Sequence, residues 1–200
     1  MVFLKGSIFY DLLLHRFNRE GLVLFLEYFP QTLKKWLRNK LSEGGKEASL
    51  AVSMVDRNLK NATKFMQERG LLHFDAHFSN ILTDGKMLYL TDFGLATSSS
   101  FDLSDEKLNF FEEHQNYDRY YTCSDLATFI VRNSFNEEDP NTVLKEYAEV
   151  TRKNALDPDI EAHIKKYAFI AINKNNFIKK LVKDKTTPYP SAKLNKLGIE

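Results

Sequence analysis

Five polar side chains fall within twenty residues: His73, Asp75, His77, Asn80 and Asp92. His73-Phe-Asp75 is followed by Asn80, five residues after the aspartate, and Asp84-Gly85 then gives a strong tight-hairpin signal. Asp92-Phe-Gly94 closes the hairpin's second strand and continues as Leu95-Ala96. A carboxylate beside a hydroxyl can take its proton, and nearby oxygen ligands can hold Mg²⁺ against phosphates. Those are the needs of phosphoryl transfer. A tight loop supplies Asp75 and Asn80 from one side, the hairpin returns Asp92 beside them, and Gly94 lets the chain turn sharply away. A second reading uses the alternation of His73, Asp75 and His77, which on an extended strand share one face at metal-ligand spacing and could build a hydrolytic centre. It leaves Asn80, the hairpin and D-F-G unused. A structural account, with an aspartate capping a turn and a histidine in the core, fits either residue alone but not the ordered set.

Around this constellation, Gly21–Phe29 is a β-rich apolar run bounded by Gly21 and Pro30, and it reads as a buried strand. Thr32–Leu41 has helical spacing at Leu33, Trp36, Leu37 and Leu41, with lysines suited to a helix C-terminus. Ser42–Lys46 reads as a loop. Ala48–Arg69 reads as a long helix with Leu50, Met54, Leu59, Phe65 and Met66 inside and Gly70 as its stop. Ile81–Thr83 and Met87–Thr91 are β-prone runs on either side of the hairpin turn. Helices are expected for most of the rest, with starts at Ser104, Asp139-Pro140 and Asp157-Pro158.

Composition narrows the classes. The 200 residues hold 28 Lys+Arg against 27 Asp+Glu, a net charge of +1, which argues against general nucleic-acid binding through a basic surface. One cysteine, Cys123, excludes a disulfide framework, suits a reducing compartment, and reads as a small buried apolar residue. No apolar run reaches membrane-span length, and Ile8–Leu14, broken by Asp11, makes a poor signal peptide. A cytoplasmic chain without membrane contact is the expectation. Charge is nevertheless uneven. Residues 101–139 hold ten acids and three bases, and residues 165–200 hold nine lysines and two acids. Solvated helix faces account for such runs more simply than a docking patch. His15, His114 and His163 have no companions and read as surface or helix-face residues, and Phe101–Tyr121 reads as aromatic packing.

HFDAHFSN followed by TDFGLA resembles the catalytic loop and metal-binding segment of the protein-kinase-like superfamily. Leu22–Phe29, ending in Leu26-Glu-Tyr-Phe29, is similar to the strand entering that family's adenine-holding hinge, and the two helices follow in the family's order. Ser124-Asp125-Leu126 resembles the helix-borne aspartate that braces the catalytic loop, thirty-three residues after Asp92. The resemblance covers roughly residues 20–135. It implies that Asp75 is the catalytic base, that Asn80 and Asp92 hold Mg²⁺, and that His73, Gly94 and Asp125 are structural. Leu26, Glu27 and Phe29 would border the adenine of ATP. Asp125 is then expected to be buried and to accept hydrogen bonds from the backbone around His73.

The departures matter. Phe74 stands where an arginine is usual, so a phosphorylated activation segment would lack its partner there. His77 replaces the common protein-kinase lysine two residues after the base and joins Asp75 as a catalytic candidate. That form is closer to small-molecule kinases of the aminoglycoside and choline type, whereas D-F-G-L-A is the protein-kinase form. No A-P-E follows it. The hinge falls at about residue 27, no G-x-G-x-x-G is present, and Lys5 is too close to Glu27 to serve as the nucleotide lysine. The implied fold is α+β and kinase-like: residues 1–29 as a remnant of the N-lobe sheet and hinge strand, residues 30–200 as the helical C-terminal catalytic lobe. The implied function is Mg·ATP-dependent phosphoryl transfer to a hydroxyl, with a protein acceptor favoured over a small molecule. This chain alone is expected to bind ATP poorly and to turn over little, with a second chain as a source of the N-lobe; a non-catalytic scaffold is the competing expectation.

Overall fold

The computed structural model describes residues 27–135, 139–152 and 155–197. Lys5, the Gly21–Leu26 part of the expected strand and the Leu26 adenine contact lie outside the described residues. Glu27, Tyr28 and Phe29 belong to no strand; the strand at this point is β1, Gln31–Thr32. Helix α1, Leu33–Glu43, begins where Thr32 caps it by accepting the Lys35 amide, and it buries Leu33, Trp36 and Leu37 as its spacing demands. The expected loop shrinks to Gly44, whose φ of 70° turns the chain directly into α2, Gly45–Glu68.

Helix α2 buries Ala48, Ala51, Val52, Val55, Leu59, Ala62 and Met66, a single stripe at three- and four-residue steps. Leu50 lies off that stripe and is 55% exposed, contrary to its expected place inside. β2 (Leu71–Leu72) leads into the loop that carries the candidate residues, and β3 (Ile81–Thr83) leads out of it. β3 pairs antiparallel with β4 (Leu88–Leu90), Ile81 opposite Leu90, and β1 pairs with β3 on its other edge. The turn is held by Asp84, which accepts the amides of Lys86 and Met87, while Gly85 adopts φ 85°. A 3₁₀ turn, Phe93–Leu95, then leads to β5 (Thr97–Ser98), which pairs with β2.

The remainder is helical: α3 (Asp105–Glu113), α4 (Tyr117–Ser134), α5 (Pro140–Ala148), α6 (Pro158–Lys183) and α7 (Ser191–Leu197). Asp139 and Asp157 cap α5 and α6, each ahead of a proline in the first turn. The core joins the inner faces of α1, α2, α4, α5 and α6, with Leu126, Ile130, Leu144, Tyr147, Ile164 and Tyr167 among its fully buried side chains. The chain is therefore α+β and mostly helical. Among the described residues no helix is long and apolar enough to cross a membrane. Cys123 is fully buried, as expected. His114 and His163 are buried rather than exposed, His114 in a ring stack with Phe110 and Tyr189 and His163 beside Asp56.

Candidate active site

The loop between β2 and β3 is shaped from its own backbone. The Phe74 amide follows a φ of 61°, a left-handed conformation that a bulky residue adopts only when its surroundings impose it. Two constraints do so. Asp118, 3% exposed in the first turn of α4, accepts the His73 amide at 2.6 Å on one carboxylate oxygen and the Phe74 amide at 3.0 Å on the other. The Phe74 ring also packs between Phe110, His114 and Tyr117.

The brace is thus Asp118 and not Asp125. Asp125 bonds Lys174 of α6 at 2.7 Å, and its side chain is 25% exposed. The two aspartates are seven residues apart and share a face of α4, but Asp125 lies two turns further along, about 10 Å beyond the loop. Only the first turn reaches His73.

His73 is fully buried with both ring nitrogens engaged. Nδ1 accepts the Asp75 amide at 3.3 Å, so the neutral ring carries its proton on Nε2 and donates to the Thr91 carbonyl at 3.0 Å. It has no lone pair left for a metal, which removes the alternating His73/Asp75/His77 centre. Among the described residues no group of three or more His, Cys, Asp or Glu is placed to hold a metal ion.

Asn80 ties the loop together. Its side-chain amide donates to the Asp75 carbonyl at 3.1 Å and to the Asp75 carboxylate at 2.9 Å. With the nitrogen committed, the amide oxygen faces away from Asp75. The Asn80 amide donates to the His77 carbonyl at 2.8 Å and also reaches His77 Nδ1 at 3.2 Å, while His77 Nε2 lies 3.8 Å from an Asp75 oxygen. The Asn80 carbonyl accepts both the amide and the hydroxyl of Thr91 at 2.9 Å. The hairpin therefore delivers Asp92, the next residue, to the same edge. Asp92 has φ 59° and is exposed, and a Cβ on Gly94 would stand 3.3 Å from its Oδ1. The Phe93 ring packs on His73 at a 45° tilt, with ring centroids 4.5 Å apart.

So Asp75, His77, Asn80 and Asp92 come to one edge, on the His73 frame. Asn80 Oδ1 and the Asp92 carboxylate are hard oxygen donors that suit Mg²⁺, which binds through one or two protein groups and takes its other ligands from phosphates and water. Burial pushes the Asp118 carboxyl above its ordinary range, opposed by its hydrogen bonds from the His73 and Phe74 amides. Burial pushes the Tyr117 phenol up to about 12, with the charges of Asp118 and Asp75 adding to it, and pushes Tyr121 up as well.

Two residues with a place beside the site went unsingled in the sequence. Leu82 and Tyr89 face one another across β3 and β4, both half-buried, and Phe29 stacks on Tyr89 at 4.1 Å. Their strand alternation was the available signal: Ile81 and Thr83 point into the core, so Leu82 points the other way. Phe29 joins this face, while Glu27 is exposed. No protein-family model matches the chain, and no curated protein is significantly similar to it.

Proposed function

We propose that this chain is a kinase-like catalytic lobe that transfers a phosphoryl group from Mg·ATP to a hydroxyl. One observation carries the reading: the Asn80 side chain is bonded to Asp75 through its nitrogen while the Asn80 carbonyl holds the hairpin end that bears Asp92. A base and two hard-oxygen ligands, fixed by mutual hydrogen bonds, serve positioning, which is most of what phosphoryl transfer asks of a protein.

In this reading Asp75 accepts the proton of the acceptor hydroxyl as its oxygen bonds to the γ-phosphorus. The bond from that phosphorus to the β–γ bridging oxygen breaks, and ADP leaves. His77, with Nε2 toward Asp75, orients the carboxylate. Bound between Asn80 and Asp92, Mg²⁺ would neutralise charge on the phosphates. The Leu82–Tyr89–Phe29 face supplies an apolar floor for the adenine. The resemblance favours a serine or threonine acceptor on a protein, with a small hydroxylated molecule as the alternative.

The test is calorimetry with Mg·ATP on the chain, followed by γ-phosphate transfer to a peptide array and to a panel of small alcohols and aminoglycosides. Weak binding that Asp92→Ala abolishes, and slow transfer that Asp75→Asn abolishes, are expected of this chain alone. Absence of Mg·ATP binding to the well-folded chain refutes the reading.

A further inference from the structure

Outside this site the chain carries two exposed surfaces of opposite sign that it does not pair with each other. The first is on α3. A hollow of about 220 Å³ opens between the end of α2, β2 and α3, where Leu71, Leu72, Leu108 and Phe111 share the lining with polar side chains that include Gln67 and Glu112. Asp105, Glu106, Glu112 and Glu113 are exposed along α3, and none makes an ion pair among the described residues.

The second is the C-terminal end of α6. Ile178 and Val182 stand one turn apart, exposed at 37% and 67%. Lys180 and Lys183 flank them, exposed and without an ion pair among the described residues, while Lys179 pairs with Asp139. No ion pair among the described residues links α3 to α6.

We propose that the end of α6 of one copy docks on the α3 hollow of a second copy, Val182 and Ile178 entering the hollow while Lys180 and Lys183 meet Glu112 and Glu113. The fit is in both size and charge. The hollow has room for a branched aliphatic side chain against Leu71, Leu108 and Phe111, with Glu112 on its rim for a lysine. Burying Val182 removes from water one of the most exposed apolar side chains among the described residues. The opposed charges steer the encounter, and the net charge of +1 leaves little general repulsion between copies. The complementary surface is carried by every copy, which favours self-association over any other basic partner. Because the two patches differ, the contact is head-to-tail and builds a ring or an open chain of subunits.

Sedimentation velocity on the full chain tests this without reference to catalysis. Association is expected to grow with concentration and to weaken at least about tenfold between 50 and 500 mM salt, since exposed charges are screened over that range. Val182→Asp should abolish it with an unchanged circular-dichroism melt. Glu112→Lys with Glu113→Lys, and separately Lys180→Glu with Lys183→Glu, should each give monomers. An equimolar mixture of these two double variants should associate again, a rescue that misfolding cannot produce. A wild-type chain that stays monomeric at about 200 µM in low salt overturns the proposal. So does association that ignores salt, a mixture that does not recover, or a basic peptide that fills the hollow of a monomer.

Discussion

Replacing Asp118 with alanine removes the side chain that accepts both the His73 and the Phe74 amide in the loop between β2 and β3. Two buried amides then lose their acceptors, and each such loss costs about 1–3 kcal/mol. The left-handed Phe74 also loses one of the two constraints that hold it, against a conformational cost of about 1–3 kcal/mol. A net loss of about 2–5 kcal/mol is expected for Asp118→Ala. At roughly 2–4 °C per kcal/mol for a domain of this size, the melting midpoint should fall by about 4–20 °C. Asp125→Ala is the internal control. It removes a partly exposed ion pair with Lys174, worth about 0.2–1 kcal/mol, or at most a few degrees. The pH profile adds a sign. The Asp118 carboxyl is raised in the fold, so between its ordinary and its raised value the native chain binds a proton that the unfolded chain has lost. Its contribution to stability therefore declines as pH rises through that window. Asp118→Asn should lower stability less than alanine does and should remove that decline. Thermal and urea unfolding of the three variants across pH 3–7 give the comparison. An Asp125→Ala variant as unstable as Asp118→Ala would refute the placement of the brace.

Burial lowers the His163 imidazole to about 4, against the opposite pull of Asp56, so the unfolded chain gains a proton below its ordinary value of about 6.5 while the native chain does not. Stability present above that pH should be lost as pH falls toward about 4, by about 3 kcal/mol at most, and His163→Phe should flatten the urea-midpoint curve there. Gly85→Ala puts a methyl group at φ 85° and 3.3 Å from the Trp36 indole nitrogen, and should cost about 1–3 kcal/mol in urea unfolding. His77→Ala leaves the Asn80 amide on the His77 carbonyl and removes the imidazole facing Asp75, so on the proposed function turnover should fall at least about tenfold with nucleotide affinity little changed; a loss confined to affinity would contradict its placement.

What could be read in advance was local. The Asp84-Gly85 turn, the prolines after Asp139 and Asp157, and the apolar spacing of α1 are decided within a few residues, and each stands where the pattern puts it. The loop residues His73 to Asn80 and the return to Asp92 follow the same logic, because a tight hairpin leaves the chain little choice. The rest depended on contacts across the chain. Asp118 and Asp125 carry the same chemistry on the same helix face, and only the docking of the first turn of α4 on the loop separates them. The burial of His114 and His163 arises the same way, from α3 and α6 packing against distant partners. Leu50 failed for another reason: α2 has more apolar residues than its buried stripe can hold.

The Asp118 carboxylate grips main chain alone. Its two partners are amides, which every residue except proline supplies, so this half of the restraint on positions 73 and 74 survives a change of side chain at 74. The Phe74 ring supplies the other half by packing on Phe110 and Tyr117. Positions 75, 77 and 80 enjoy no such liberty, since their side chains are the bonds. The loop is accordingly divided in its tolerance for change. A substitution at 74 gives up the ring's share of the restraint and keeps both amide bonds, whereas a change at 118 gives up the bonds themselves.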